Sequence, residues 1–322
     1  MAKLYFRYGE GKSSNLCQTA YNYNEMGMKV ITMNASNEDI KSTGVINGKP
    51  IFERKIDYII DGNIYDDMKN YKDIKCILVD NAHLLSESHV FELFLVANDL
   101  NITVITYGNR GYVGSKRLME LANIIEPVDE VISKSKSGLE FYYGTMNASK
   151  TAKLLYKYHL MKTAGENVVL IKPKLDRDTN KVISRIGLEA TADIVLDKED
   201  DVVLKNDIDY VLVDEVQFLT PEQIDRLKLY SMYKGIRCYG LKNDFKTKCF
   251  IGSDRLLDVA DKIVKMKTIC SCGDGAEFNA RTDLEGNFLT DGDSIAIDNG
   301  KTIKYKPLCP KCYMEKVLKI KR

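Results

Sequence analysis

The sequence predicts an α/β protein: two tandem parallel-sheet domains, each opening on a strand, a loop and a helix, followed by a small cysteine-pinned ribbon. Three observations carry this. Residues 139–143 form a short apolar strand, Gly144-Thr145-Met146-Asn147-Ala148-Ser149-Lys150-Thr151 is a polar loop, and Leu154, Leu155, Tyr158 and Met161 then recur at helical spacing before Gly165, placed to stop the helix. The same order occurs once earlier in the chain, and the tail carries two close cysteine pairs, Cys270/Cys272 and Cys309/Cys312.

The loop 144–151 reads as a phosphate cradle. A nucleotide phosphate needs converging backbone N–H groups, a helix N-terminus, a lysine for its charge and a hydroxyl that can hold Mg²⁺. Lys150 and Thr151 supply the last two. Ser149 departs from the usual pattern, which has glycine before the lysine; a positive φ there strains a residue with a Cβ. Taken alone the loop is equally an ordinary strand-to-helix turn. Its partner is Tyr210-Val211-Leu212-Val213-Asp214-Glu215, an apolar strand delivering two carboxylates where a parallel sheet places its ligand.

The composition narrows the class. With 322 residues there is chain for two domains, and 44% hydrophobic with 29% charged residues is an ordinary globular balance. Lys+Arg 47 against Asp+Glu 46 gives a formal net charge of +1, so nothing in the overall charge asks for nucleic acid or an anionic membrane. No run approaches the roughly 18 apolar residues of a membrane span, and the opening residues enter a strand without a signal-peptide pattern. The expected compartment is the cytoplasm, where the eight cysteines would not form structural disulfides and a pair of close pairs reads first as a metal site.

The repeat is in register. Leu4-Tyr5-Phe6-Arg7-Tyr8-Gly9 echoes Leu139-Glu140-Phe141-Tyr142-Tyr143-Gly144, and Cys76-Ile77-Leu78-Val79-Asp80 echoes the strand ending at Asp214. The stretches opening at Gly27 and Gly165, and at Gly114 and Gly252, echo one another in the same order within a few residues of that offset, which predicts a tandem duplication with its seam at residues 133–138. The first copy reads as stripped. Its loop, Gly9-Glu10-Gly11-Lys12-Ser13, is shorter and carries an extra carboxylate, and Asp80 is followed by Asn81, which cannot take a proton at neutral pH. Residues 109–113 stand against 241–251, so a substrate loop is shortened, and nothing matches the cysteine tail. His83 and His89 read as structural residues.

The second copy continues with a strand over 168–171, a polar loop over 172–180 and Ser184-Arg185-Ile186-Gly187 in an alternating pattern. Arg185 offers a fork for a phosphate, with an exposed salt-bridging arginine as the competing reading. Asp214 and Glu215, as strand neighbours, point to opposite sides: one carboxylate to Mg²⁺, the other to a substrate hydroxyl as general base, against the alternative of two solvated acids. Gln217, two residues on, joins the candidate nucleotide-binding set, and Thr220 with Pro221 opens a helix. After a strand over 236–240, the loop 241–250 carries Phe245, an aromatic for a flat base or an anchor for the loop itself. Four thiolates on two knuckles suit structural Zn²⁺, with free thiols or a redox pair as alternatives. Metal binding substitutes for the core that so short a segment cannot build.

Together, the motifs through Ser184-Arg185-Ile186-Gly187-Leu188, Val213 to Leu219, Tyr239 to Phe245 and the cysteine tail resemble the type II thymidine kinase family over nearly all of the second copy. The first copy is similar to a degenerate relative over 1 to about 132. The resemblance implies P-loop (RecA-like) domains at 1–137 and 138–268, a zinc-binding lasso subdomain at 269–322, and ATP-dependent phosphorylation of the 5′-hydroxyl of thymidine, with deoxyuridine as a second substrate. It implies that Gly144 to Thr151 hold ATP phosphates, that Thr151 and Asp214 hold Mg²⁺, that Glu215 is the general base and that Phe245 packs on thymine. The lasso would fall at 297–308, with Tyr305 near the sugar. Its backbone groups would favour thymine over cytosine, since an unpaired buried group costs roughly 1–3 kcal/mol. Departures are Ser149, Lys242 where an acidic residue is common, and a lasso without the usual Gly-Gly pair. Relatives are tetramers, so a homo-oligomer is expected in which the first copy serves as a pseudo-subunit, with dTTP as a feedback inhibitor. The competing function is a non-catalytic nucleotide sensor or assembly partner.

Overall fold

The computed structural model describes residues 2–42, 45–46, 49–128, 137–175, 180–293 and 303–320. The chain divides into two compact units, Met1–Ser133 and Lys134–Arg322. Among the described residues no helix is long and apolar enough to cross a membrane.

The leading unit is built on β1 (Leu4–Tyr8), α1 (Lys12–Glu25), β2 (Lys29–Asn34), β3 (Ile74–Asp80), α2 (Glu87–Asn98), β4 (Thr103–Tyr107), α3 (Val113–Leu121) and β5 (Ile124–Pro127). Its five strands are all parallel in the order β2-β3-β4-β1-β5. The strands are nearly continuous apolar runs because helices cover both faces of such a sheet. Leu4, Phe6, Met33, Ile77, Val79 and Val104 form the centre of its core.

The trailing unit repeats the plan with β6 (Gly138–Tyr143), α4 (Lys150–Thr163), β7 (Val168–Pro173), the hairpin β8 (Lys181–Ile183) and β9 (Glu189–Thr191), and the edge strand β10 (Ile194–Leu196). It continues with β11 (Tyr210–Val213), α5 (Pro221–Tyr230), β12 (Gly235–Gly240), α6 (Ile251–Val259) and β13 (Lys262–Lys265). The sheet order is β10-β7-β11-β12-β6-β13, again all parallel. Without β10, this is the order of the leading sheet. Leu139 and Phe141 of β6 face the apolar core, whereas the alternate residues Glu140 and Tyr142 face a buried polar layer under α4. There Arg237 pairs with Glu140 at 3.0 Å and Lys157 donates to the Tyr142 hydroxyl at 3.2 Å. Burial pulls the Lys157 ammonium down to about 7.

Several elements differ from expectation. The strand read over 168–171 runs on to Pro173, and residues 176–179 of the following loop lie outside the described residues. Arg185 is not on a strand: β8 ends at Ile183, and Ser184 to Gly187 turn the chain into β9, with the Gly187 N–H bonded to the Ser184 carbonyl at 3.0 Å and Gly187 at φ +86°. Glycine alone takes that φ without strain, so the turn overrides the alternating pattern. Thr220 caps α5 in a full capping box with Gln223, and Pro221 occupies the first turn. The seam at 133–136 and the lasso residues 297–302 lie outside the described residues.

The tail forms a three-stranded antiparallel ribbon in the order β15-β14-β16, from β14 (Phe278–Thr282), β15 (Phe288–Leu289) and β16 (Lys304–Leu308), closed by α7 (Pro310–Lys316). Its small core gathers Cys270, Cys309, Cys312, Ala280 and Leu308.

Candidate active site

The phosphate loop leaves β6 at Gly144, where an added Cβ would meet the Ala148 Cβ at 2.7 Å and the Met266 carbonyl at 2.9 Å, so only glycine fits. Asn147 and Ser149 both take left-handed backbone, at φ +65° and +58°. Ser149 thus carries the strain its Cβ predicts, on the order of 1–2 kcal/mol. Lys150 begins α4 and folds back, donating to the carbonyls of Gly144 at 3.3 Å and Thr145 at 2.9 Å. Burial, opposed by Glu215 and Asp214, pulls its ammonium down to about 8. The Thr145 hydroxyl is buried with no hydrogen-bond partner among the described residues. A lysine resting on backbone carbonyls beside an orphaned hydroxyl is a donor set that fits an anionic ligand.

Thr151 donates to both carboxylate oxygens of Asp214, at 3.2 and 3.1 Å. The hydroxyl of α4 and the acid after β11 therefore meet across 63 residues of chain. Burial and the neighbouring Glu215 push the Asp214 carboxyl up to about 7. A hydroxyl and a buried carboxylate in contact form an oxygen donor pair suited to Mg²⁺.

Glu215 is not a strand residue. The strand ends at Val213, and Glu215 stands in left-handed backbone at φ +49°, opening a single helical turn over Val216–Phe218. This kink, rather than strand alternation, separates the two carboxylates. The Gln217 amide donates to the Glu215 carboxylate at 2.6 Å and its oxygen accepts from the Leu241 N–H at 2.9 Å. Gln217, expected among the nucleotide ligands, is buried and braces Glu215. The brace needs Gly240, since a Cβ there would collide with the Gln217 side-chain oxygen. Arg185 is exposed and donates to the Asn147 side chain, which puts its guanidinium on the phosphate loop.

The loop after β12 is closed on itself by Asp244, whose carboxylate accepts from the N–H groups of Lys246 and Lys248, each at 2.9 Å. Phe245 is 2% exposed, and the Arg281 guanidinium lies over its ring at 3.7 Å. Arg281 also donates to the Tyr305 hydroxyl at 2.8 and 3.1 Å, so Phe245, Arg281 and Tyr305 form one cluster. Tyr313, one residue past Cys312, donates to the Phe245 carbonyl at 3.1 Å. Sequence reasoning did not single out Arg281, Tyr313 or Asn279; the available signal was polar residues alternating with apolar ones on β14, directly after a cysteine pair.

The sulfurs of Cys270, Cys272, Cys309 and Cys312 all lie within 4.8 Å of one another, and those of Cys272 and Cys309 are 3.5 Å apart. Tetrahedral zinc thiolates with bonds of about 2.3 Å put sulfurs about 3.8 Å apart, so the four residues fit a structural zinc. Burial raises the Cys270 thiol, but hydrogen bonds from the backbone N–H groups of Cys272 and Cys309 outweigh it and bring the thiol down to about 7.

Comparison with known proteins agrees with this geometry. A family model described as thymidine kinase matches residues 2–136 and again residues 137–313. A protein named thymidine kinase from Photobacterium profundum is 40% identical over 185 residues, spanning 54% of this chain and 95% of its own. Another from Enterobacteria phage T4 is 38% identical over 194 residues, spanning 57% and 99%. One from Vibrio cholerae is 37% identical over 190 residues, spanning 54% and 95%. With both halves matched by one family model, the chain belongs to the thymidine kinase family.

Proposed function

We propose that the trailing unit phosphorylates the 5′-hydroxyl of thymidine with ATP, and that the leading unit is a duplicate without turnover. The observation that carries this reading is the Glu215 carboxylate, held by Gln217 one residue past the Asp214 that Thr151 contacts. Lys150 swings from the loop carbonyls onto the β- and γ-phosphates, the loop N–H groups cradle them, and Arg185 adds charge at the rim. Thr151 and Asp214 hold Mg²⁺, which when bound neutralises charge between the phosphates. Glu215 takes the proton from the 5′-hydroxyl as its oxygen bonds to the γ-phosphorus. The bond from that phosphorus to the bridging oxygen breaks, and ADP leaves.

Phe245, held by Arg281 and Tyr313, forms the base platform with Tyr305 beside the sugar. Deoxyuridine fits the same platform. The zinc centre pins the ribbon from which Arg281, Tyr305 and Tyr313 project. A cytoplasmic location, a homo-oligomer with the leading unit as pseudo-subunit, and feedback by dTTP belong to the same reading. The sensor reading has less support, because base, brace and lysine are all present.

ADP release with thymidine, ATP and Mg²⁺ tests the proposal. Wild type turns over, and Glu215→Gln lowers the rate by about 10²–10⁴-fold, the usual contribution of a positioned base. Saturable ATP binding without turnover in the wild type would refute it and favour the sensor.

A further inference from the structure

The ribbon touches the phosphate loop directly, and one side chain makes the main contact. Asn279, at the centre of β14, is 6% exposed. Its Oδ1 accepts from the Met146 N–H at 2.7 Å, inside the phosphate loop. Its Nδ2 donates to the Asn243 carbonyl at 3.0 Å, inside the loop that carries Phe245. The partners fix the amide's orientation: a backbone N–H requires the oxygen, and a carbonyl requires the nitrogen.

Neighbouring contacts make this a junction. Thr268 donates to the Asn147 carbonyl at 3.4 Å on the phosphate-loop side, and Tyr313 donates to the Phe245 carbonyl on the other side. Asn243 closes its own loop through a bond to the Thr247 carbonyl. A displacement of Met146 therefore strains the bond from Asn279 to Asn243, and the converse holds. Both bonds are partly buried and end on a buried side chain, so water substitutes poorly for Asn279 at either backbone group.

We propose that Asn279 is a positioning residue that couples the phosphate loop to the nucleoside loop, so that ATP and thymidine each bind more tightly when the other is present. It touches neither ligand and acts through Met146 and Asn243. The inference rests on the proposed kinase function only for the identity of the two ligands. Coupling of this kind is reciprocal.

Two substitutions in the full chain separate the bonds. Asn279→Asp keeps an acceptor for Met146 but sets a carboxylate against the Asn243 carbonyl; Asn279→Leu removes both bonds at similar volume. Calorimetric titration with a non-hydrolysable ATP analogue and Mg²⁺, and with thymidine, is run with each ligand alone and in the presence of the other. The expected result for Asn279→Asp is analogue affinity within twofold of wild type, thymidine affinity about tenfold weaker, and loss of mutual enhancement; Asn279→Leu loses about tenfold for each ligand. If Asn279→Leu does not fold, Asn279→Asp decides. The proposal is overturned if Asn279→Asp retains both affinities and the enhancement, or if both variants weaken both ligands equally. A wild type that binds the analogue but not thymidine overturns the kinase reading, and the analogue affinity of Asn279→Leu then decides the phosphate-loop half.

Discussion

The two units share a sheet order and diverge at its ligand-facing edge. In the leading unit Lys12 still folds back onto the Gly9 carbonyl at 2.6 Å, and Ser13 still donates to Asp80 at 2.7 Å. These match Lys150 on Gly144 and Thr151 on Asp214 in the trailing unit. Even the left-handed residue before the lysine is kept, as Gly11 at φ +69° and Ser149 at φ +58°. What the leading unit lacks is the next layer. Asn81, at φ +48°, replaces Glu215 at φ +49°, and His83 stands where Gln217 braces the base. It also has no cysteine ribbon on which to hang a nucleoside loop. The lysine–hydroxyl–aspartate cluster is thus part of the architecture of this sheet, and the proposed phosphoryl transfer draws on Glu215, its brace and the ribbon as well.

The largest way to break the comparison is to remove the metal. A strong chelator should abolish thymidine binding and melt the ribbon, because zinc contributes on the order of 10 kcal/mol to such sites. The leading unit should keep its own unfolding transition in a differential scan; one shared loss of both transitions would erase the distinction drawn between the units.

Next in size is the base. Beyond the loss in Glu215→Gln, Asn81→Glu placed in that background should restore nothing, since the leading unit offers the new carboxylate neither a brace nor a nucleoside loop. Recovery of ADP release would show that a single residue separates the units. The smallest effect concerns the loop backbone. In urea unfolding, Ser149→Gly should stabilise the trailing unit by up to about 1 kcal/mol, the relief of left-handed strain less the added freedom of the unfolded glycine. Gly11→Ser should destabilise the leading unit by a similar amount, and shifts of the same sign would contradict the strain argument.

Much of this was legible in the sequence because it is local. The phosphate loop, the acid after β11, the helix start at Thr220 and Pro221 and the cysteine pairs are each short patterns whose chemistry follows from adjacent residues. The strain at Ser149 was legible too, from the Cβ alone. The misplaced features depend on distant partners. Arg185 read as a strand residue until the glycine turn at Gly187 moved it. The brace made by Gln217 was hidden because nothing nearby revealed that the Leu241 N–H waits for its oxygen. Asn279 and Arg281 lie on β14 and Tyr313 on α7, far along the chain from the loops they hold, and the alternation on β14 marks polar residues without naming their partners.

The leading unit keeps the lysine–hydroxyl–aspartate cluster, but its shortened loop sets Glu10 where a phosphate would lie. The central claim is that for this reason only the trailing unit grips nucleotide, and counting sites tests it most directly. Titration of the intact chain with the ATP analogue and Mg²⁺ should give one site per chain, lost in Lys150→Met and unchanged in Lys12→Met. Two sites per chain, or a site that survives Lys150→Met and vanishes with Lys12→Met, would contradict the account.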